Sequence, residues 1–180
     1  QGNSTTGLGK KKGPMAGSAS LYSAAKSWER ELLYCEEERF YLLPSGRPLR
    51  GEKSLSRGKE KAQLHRNLLE LKEQFDFVLI DCPPSLGPVT EDALNLADTI
   101  LIPVQCEFFA MEGLSKILTE TKRIRGNEDP RLFLEGILLT MFEKDVGVSF
   151  EVSKEIQRFF NDKTFLTFIP RDASFSEASS

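Results

Sequence analysis

Apolar and polar positions alternate in blocks through the second two thirds of the chain. Leu64, Leu68 and Leu71 recur at helical spacing, and an unbroken apolar run from Phe77 to Ile80 follows them. Leucines three and four residues apart mark one face of a helix, while an apolar run without alternation is typical of a strand covered on both sides. The pattern therefore predicts a helix and then a buried parallel strand.

The same succession of helix and strand repeats three more times toward the carboxyl end. The predicted pairs are a helix at 90–97 with a strand at 99–104, a helix carrying Leu114, Ile117, Leu118, Thr121 and Ile124 with a strand at 136–141, and a helix through Val152, Ile156 and Phe159 with a strand at 165–169. Helices that connect successive strands imply right-handed crossovers. We therefore expect an α/β fold, with a mostly parallel sheet and helices on both faces.

The first third of the chain is less regular. Residues 1–20 are rich in small polar residues and residues 44–60 in charges and glycine, so both segments predict loop. A weak helical pattern covers Ser20 to Cys35, and the acidic run 36–38 is expected to be its solvated end. Residues 40–43 predict a short buried strand.

Composition and charge narrow the possible functions. The chain has 180 residues, 39% of them apolar, with a formal charge of −3 and a pI near 5.4. An acidic protein binds nucleic acid or an anionic membrane only through a local basic patch. Its three cysteines form no CxxC pair, and no apolar run approaches the roughly 20 residues that span a bilayer. We expect a soluble, cytoplasmic protein without a transmembrane segment.

Asp81 directly follows the apolar run, so a parallel strand would present it at the carboxyl edge of the sheet. Ligands of open α/β sheets bind outside that edge, and a carboxylate there can hold the hydration shell of Mg²⁺. Taken alone, an acid in this position is more often a cap or turn residue. Pro83, Pro84 and Ser85 then form a stiff turn, which suits a switch that senses phosphate.

Five short segments form a series along the chain. They are Asp81 to Gly87 (DCPPSLG), Ile102 to Glu107 (IPVQCE) with Ala110, Glu112, Gly113 and Leu114, Glu135 to Met141 (EGILLTM), Ile169 to Arg171 (IPR), and Ser176 to Ala178 (SEA). In order and spacing this series resembles ParA and Soj proteins, the DNA-segregation members of the deviant Walker A, P-loop ATPases. The similarity is close from about Leu64 to the end, extends to residues 1–9 and is poor between 10 and 60.

The resemblance implies an ATPase with ATP and Mg²⁺ as cofactors, which forms a homodimer on binding ATP and separates after hydrolysis. Asp81 would be the catalytic acid that organises Mg²⁺ through water. Pro84 and Ser85 would belong to a switch, and Gln105 and Glu107 would lie near the nucleotide and the dimer interface. For Gln105 or Glu107 considered singly, an ordinary turn after a strand is an equally good interpretation.

The resemblance also implies a base-binding side and a set of partners. Thr140, Met141, Pro170 and Arg171 correspond to segments that line the adenine side of the nucleotide site. The implied partners are a ParB-like protein and nonspecific DNA, in chromosome or plasmid partition.

Two positions argue against strong DNA binding. Asp145 and Ser174 stand where relatives carry arginines, which leaves Lys144 and Arg171 as the candidate DNA contacts. Because nonspecific binding depends on neutralising phosphates with Lys and Arg, we expect weak DNA binding.

The lysine-bearing phosphate loop of the family would lie before Gln1. Residues 2–7 have the GxxxxG spacing of such a loop, but Leu8 and Gly9 stand where it requires Lys and Ser or Thr, so we reject this segment. We therefore expect residues 1–180 to be a single ATPase-type domain, incomplete at both ends and inactive by itself. Without the first two family strands, residues 78–80 would be exposed to water.

Two other functions fit the same fold. One is a MinD-like positioning ATPase for membrane or protein cargo, although the CPPSLG segment argues against it. The other is a non-enzymatic binding module that kept the fold and lost the phosphate loop.

Overall fold

The fold is α/β, as predicted, and its contacts divide the chain into two compact units. The amino-terminal unit comprises residues 1–96 with 177–180, and the carboxy-terminal unit comprises residues 97–176. The structure is a computed structural model, and it describes residues 5, 7–8, 17–24, 27–46, 58–83, 87–125 and 133–174.

The described part of the amino-terminal unit has two helices of nine or more residues and one small hairpin. Its described elements are the 3₁₀ turns Gly17–Tyr22 and Glu29–Glu31, strands β1 (Leu33–Cys35) and β2 (Phe40–Leu42), and helices α1 (Lys59–Gln74) and α2 (Pro88–Leu96). The predicted helix at 90–97 is therefore confirmed as α2, which begins at a proline. Proline suits the first turn of a helix, where its missing N–H would have had no partner.

The leucine face of α1 builds the core of this unit. Leu64, Leu68 and Leu71 are buried as predicted and pack with Trp28, which is 2% exposed. The Asn67 side chain lies on the same face and donates to the Leu21 carbonyl at 2.7 Å. This bond holds the 3₁₀ turn at 17–22 against α1.

The predicted helix from Ser20 to Cys35 is wrong. The segment contains two short 3₁₀ turns and then β1, which pairs antiparallel with β2. The acidic run 36–38 lies in the exposed turn of this hairpin, where Arg39 has a φ of 58° and its amide donates to the Cys35 carbonyl. Tertiary packing of Trp28 on α1, and strand pairing, prevail over a weak helical preference.

The strand predicted at 40–43 exists as β2, but it is not buried. Phe40 is 40% and Tyr41 54% exposed. The Tyr41 ring packs against Tyr34 on one side and Phe75 on the other, with centroid separations of 5.0 and 5.5 Å. A two-stranded ribbon covers one face only, which leaves its aromatic rings half in water.

The prediction of a buried strand at 77–80 is also wrong. No strand is assigned there, and Phe77, Leu79 and Ile80 are 88%, 93% and 43% exposed, while Val78 packs on the α1 core. A strand is stabilised by its neighbours, and the described residues supply none to this run.

The carboxy-terminal unit is a three-stranded parallel sheet with two helices. Its elements are β3 (Thr99–Gln105), α3 (Ala110–Arg125), β4 (Phe133–Phe142), α4 (Gly147–Phe160), the 3₁₀ turn Asn161–Lys163 and β5 (Thr164–Pro170). The strand order is β3-β4-β5, and both pairs are parallel. The three predicted strands and two predicted helices are confirmed, and β4 is longer than predicted.

The core of this unit lies between the sheet and its helices. Its buried side chains are Ile102, Val104, Cys106, Leu114, Ile137, Leu139, Phe142, Val152 and Ile156. Phe159, expected on the inner face of α4, is 62% exposed and lies 6.0 Å from the Arg158 guanidinium.

Most of the loops predicted at 1–20 and 44–60 lie outside the described residues, although residues 17–22 form a 3₁₀ turn and α1 begins at Lys59. Within the described part of the chain, no helix is both long and apolar enough to cross a membrane.

Candidate functional site

Several predicted site residues meet at the carboxyl ends of the three parallel strands. Gln105 ends β3 and pairs with Thr140 of β4, and the Cys106 amide donates to the Thr140 carbonyl at 3.0 Å. Pro170 ends β5 and pairs with Phe142. Ligands of open parallel sheets bind outside this edge. The structure therefore brings Gln105, Thr140 and Pro170 to the edge where a ligand is expected.

Met141 gives the end of β4 an irregular backbone. Its φ is 53°, a left-handed value that costs a residue with a Cβ about 1–2 kcal/mol. The register of β4 against β5 also shifts between Leu139 and Phe142. Such irregularities change the direction of side chains and are frequent beside active sites.

Arg171 links the ends of all three strands. Its amide donates to the Phe142 carbonyl at 3.0 Å, beyond the end of the β4–β5 ladder. Its side chain binds two carboxylates, through Nε to Glu143 at 2.8 Å and through Nη2 to Glu107 at 3.1 Å. The predicted residues Glu107 and Arg171, 64 positions apart, are thus in direct contact.

Lys144, a predicted DNA contact, lies at the rim of a mostly apolar cavity. The cavity measures about 330 Å³ and is lined by Leu139, Phe142, Lys144, Phe150, Ser153, Gln157 and Phe168. Apart from Lys144, none of these residues was predicted as a site residue. The rings of Phe150 and Phe168 pack on Phe142 with centroids 5.1 and 4.5 Å away.

Asp81 belongs to the amino-terminal unit, where it is exposed. Its neighbour Cys82 is also exposed as a whole residue, yet burial of the thiol, and then the charge of Asp81, raise the pKa of Cys82. Pro84 and Ser85, the predicted switch residues, lie outside the described residues.

The sequence patterns miss a buried acid in α2. Asp92 of α2 is 2% exposed, and the Lys61 ammonium of α1 lies 3.6 Å from its carboxylate. Burial, and then the charge of Asp92, raise the pKa of Tyr22 to about 12. An acid followed directly by Ala93 and Leu94 in a mostly apolar helix was the signal available in the sequence.

Comparison with known proteins relates this geometry to a family. Residues 1–134 match the family model described as an AAA domain. The chromosome-partitioning ATPase Soj of Treponema pallidum is 35% identical over 187 aligned positions, which cover all of this chain and 71% of that protein. The chain belongs to the ParA/Soj family.

Other members align over less of their length. The sporulation initiation inhibitor protein Soj of Bacillus subtilis is 41% identical over 120 residues, covering 67% of this chain and 47% of that protein. The chain therefore spans about half to seven tenths of the length of these relatives.

A solved structure shares the fold of this ParA/Soj chain. Cobyrinic acid a,c-diamide synthase from Mycobacterium smegmatis, with bound ADP and magnesium, is 27% identical with a TM-score of 0.78. The similarity covers 97% of this chain and 73% of that one.

The chemistry of Asp81, considered within the amino-terminal unit, suits Mg²⁺. The described residues contain no group of three or more His, Cys, Asp or Glu that could hold a metal ion. Mg²⁺ needs no such group, because it keeps several waters and binds one or two carboxylates together with substrate phosphates. The exposed carboxylate of Asp81 is a ligand of that type.

Proposed function

We propose that this chain is part of the ATP-binding core of a ParA-type partition ATPase. ATP and Mg²⁺ would bind at the carboxyl edge of the sheet and close a homodimer, and hydrolysis would release it. This cycle would drive the segregation of a chromosome or plasmid in the cytoplasm, together with a ParB-like partner protein and weakly bound nonspecific DNA.

One observation carries the proposal: 35% identity to a chromosome-partitioning ATPase extends over the entire chain. The convergence of Gln105, Thr140 and Pro170 at one sheet edge supports it, because that is where a parallel sheet binds ligands.

Each candidate residue has a role in this proposal. Asp81 would organise Mg²⁺, and Met141 and Pro170 would offer backbone groups to the base. Pro84 and Ser85 would sense the γ-phosphate, and Glu107 would lie near the dimer interface. Catalysis in this class depends on positioning and on charge around the γ-phosphate. The lysine of the family's phosphate loop would bind the phosphates.

The test is Mg²⁺-dependent hydrolysis by a version extended at its amino end through a family phosphate loop. We expect phosphate release that stops when EDTA removes Mg²⁺, and a doubled mass by light scattering when ATP is present. An extended protein that neither hydrolyses ATP nor changes its mass would contradict the proposal. Hydrolysis without dimerisation would remove the partition cycle but keep the ATPase.

A further inference from the structure

The Glu107–Arg171–Glu143 network spans the sheet edge, because Arg171 pairs both with Glu143 after the neighbouring strand β4 and with Glu107 after the more distant strand β3. Glu107 follows β3 and Arg171 follows β5, and β4 lies between those strands. Adjacent strands are about 4.8 Å apart, so the two ends are separated by about 10 Å. The Arg171 side chain therefore crosses the carboxyl end of β4 to reach Glu107.

The network contributes little to stability. The side chains of Arg171, Glu107 and Glu143 are 44%, 58% and 41% exposed. Ion pairs this exposed contribute about 0–1 kcal/mol each. The strand ends are held by backbone bonds, from Cys106 to Thr140 and from Arg171 to Phe142. The network therefore fixes the orientation of these side chains more than it stabilises the fold.

Glu107 connects the network to the start of α3 through backbone hydrogen bonds. Its amide donates to the Gln105 carbonyl at 2.8 Å, and its carbonyl accepts from the Ala110 amide at 3.0 Å. Ala110 is the first residue of α3. A guanidinium that binds the Glu107 side chain therefore fixes the short turn joining β3 to α3.

The charge of the network argues against direct contact between Arg171 and phosphate. One guanidinium faces two carboxylates, so the three side chains carry a net charge of −1. An anionic ligand would meet this negative charge, and it would have to displace a carboxylate before it could bind the Nε and Nη2 donors of Arg171, which form the side-on fork of the guanidinium.

We propose that Arg171 is a positioning residue, which couples the end of β5 to the β3–α3 turn through Glu107 and so makes both part of one ligand site. This inference rests on the proposed nucleotide function. Arg171 acts through Glu107 and Glu143, and its own side chain does not bind the phosphates.

The test is a double-mutant cycle on ATP affinity, measured by calorimetry in the extended protein. Arg171→Gln and Glu107→Gln should each weaken ATP binding by about fivefold or more, within the range of coupling between sites. The double mutant should be no weaker than either single mutant, because both changes remove the same link. Arg171→Lys should not restore binding, since one ammonium cannot reproduce the two bonds from Nε and Nη2.

Whether Glu107→Gln weakens or tightens ATP binding distinguishes a positioning role of Arg171 from direct contact with phosphate. If Arg171 bound phosphate itself, removing a competing carboxylate would tighten ATP binding, and that result would overturn the inference. Independent, additive losses from the two single mutants would also overturn it. A matched control is Glu120→Gln with Arg123→Gln, which removes an ion pair on α3 between exposed Arg123 and half-exposed Glu120, 2.7 Å apart; this change should leave ATP affinity unchanged.

Failure of the coupling and failure of the proposed function give different results. If the unmutated extended protein binds ATP but the cycle is additive, only the role of Arg171 is wrong. If the unmutated protein does not bind ATP, both proposals are wrong. Thermal unfolding of each variant checks the fold, and melting temperatures should stay close to that of the unmutated protein because the pairs are exposed.

Discussion

The ring of Phe165 in β5 lies directly against Gly136 in β4. A Cβ added to Gly136 would overlap Cε2 of that ring and lie 2.9 Å from Cδ2. No real Cβ makes so close a contact, so the glycine leaves room for the aromatic side chain of the neighbouring strand. Gly136 is one of the positions of the EGILLTM segment that resembles the family.

The first prediction is that Gly136→Ala destabilises the unmutated protein but stabilises a protein that lacks the Phe165 ring. In the unmutated background, Gly136→Ala should lower the free energy of unfolding by about 1 kcal/mol, the lower end of the cost of overpacking, because the half-exposed Phe165 ring can partly move away. In a Phe165→Ala background the same change should raise it by about 0.5–1 kcal/mol, since alanine is favoured over glycine within a strand. Urea titrations of the four proteins measure both effects. Equal effects in the two backgrounds would show that the ring does not restrict Gly136.

A second prediction concerns alkaline stability. The folded protein holds the pKa of Tyr22 at about 12, above its ordinary value of 10, so folding disfavours the phenolate. The stabilising contribution is complete below pH 10 and is lost as the pH rises from 10 toward 12. The difference in unfolding free energy between the unmutated protein and Tyr22→Phe should therefore shrink across that interval. Tyr34→Phe, which changes an exposed hairpin tyrosine, is the control, and a difference that stays constant with pH at Tyr22 would contradict the prediction.

A third prediction concerns Asp81. In the extended protein, Asp81→Ala should reduce Mg²⁺-dependent ATP hydrolysis by about 10- to 100-fold, the loss typical of a residue that orients a metal's ligands. The fold should persist, because Asp81 is exposed. Steady-state phosphate release over a range of Mg²⁺ concentrations measures the effect. Asp76→Ala, which removes another exposed acid on the other side of the apolar run, is the control. Unchanged turnover in Asp81→Ala would make Asp81 a structural cap.

A fourth prediction concerns DNA. Asp145 and Ser174 are exposed, and both follow strand ends at the carboxyl edge of the sheet. The unmutated extended protein should bind DNA weakly, with a shallow salt dependence. Asp145→Arg with Ser174→Arg should strengthen binding and steepen the salt dependence by about one unit of slope for each new phosphate contact. Titrations at several salt concentrations measure both quantities.

The matched control for the DNA experiment places the same charge change elsewhere. Asn161→Arg with Asp162→Arg adds the same charge at the 3₁₀ turn before β5, at the amino-terminal end of that strand. It should raise affinity less. An equal gain from both pairs would show that net charge alone is responsible, and a steep salt dependence in the unmutated protein would place the contact on another basic surface.

The regular part of the fold could be predicted because its patterns are local. The leucines of α1 and the apolar runs of β3, β4 and β5 fix the type of each element and the core face of α1. The false helix before Cys35 and the missing strand at 77–80 have the opposite cause. The first depends on Trp28 packing against α1, which is distant in the sequence, and a strand at 77–80 needs neighbouring strands to pair with; a local pattern contains neither.

The sequence suggested residues for the site but not their contacts. Thr140 and Pro170 came from the resemblance to the family and Gln105 from its place after a predicted strand, and they share one edge because parallel strands share a carboxyl edge. The ion pair between Glu107 and Arg171 joins positions 64 residues apart, and spacing along the chain gives no sign of it. The burial of Asp92 depends on two helices packing together, so the sequence could show only an acid among apolar neighbours.

The most direct test of the account is calorimetric titration of ATP with Mg²⁺ into two polypeptides, residues 1–180 and a version extended through a lysine-bearing phosphate loop ahead of Gln1. The extended protein should show saturable binding that disappears when the loop lysine is replaced by alanine. Residues 1–180 alone should bind very weakly or not at all. Tight binding by residues 1–180, or none by the extended protein, would contradict the proposed nucleotide site.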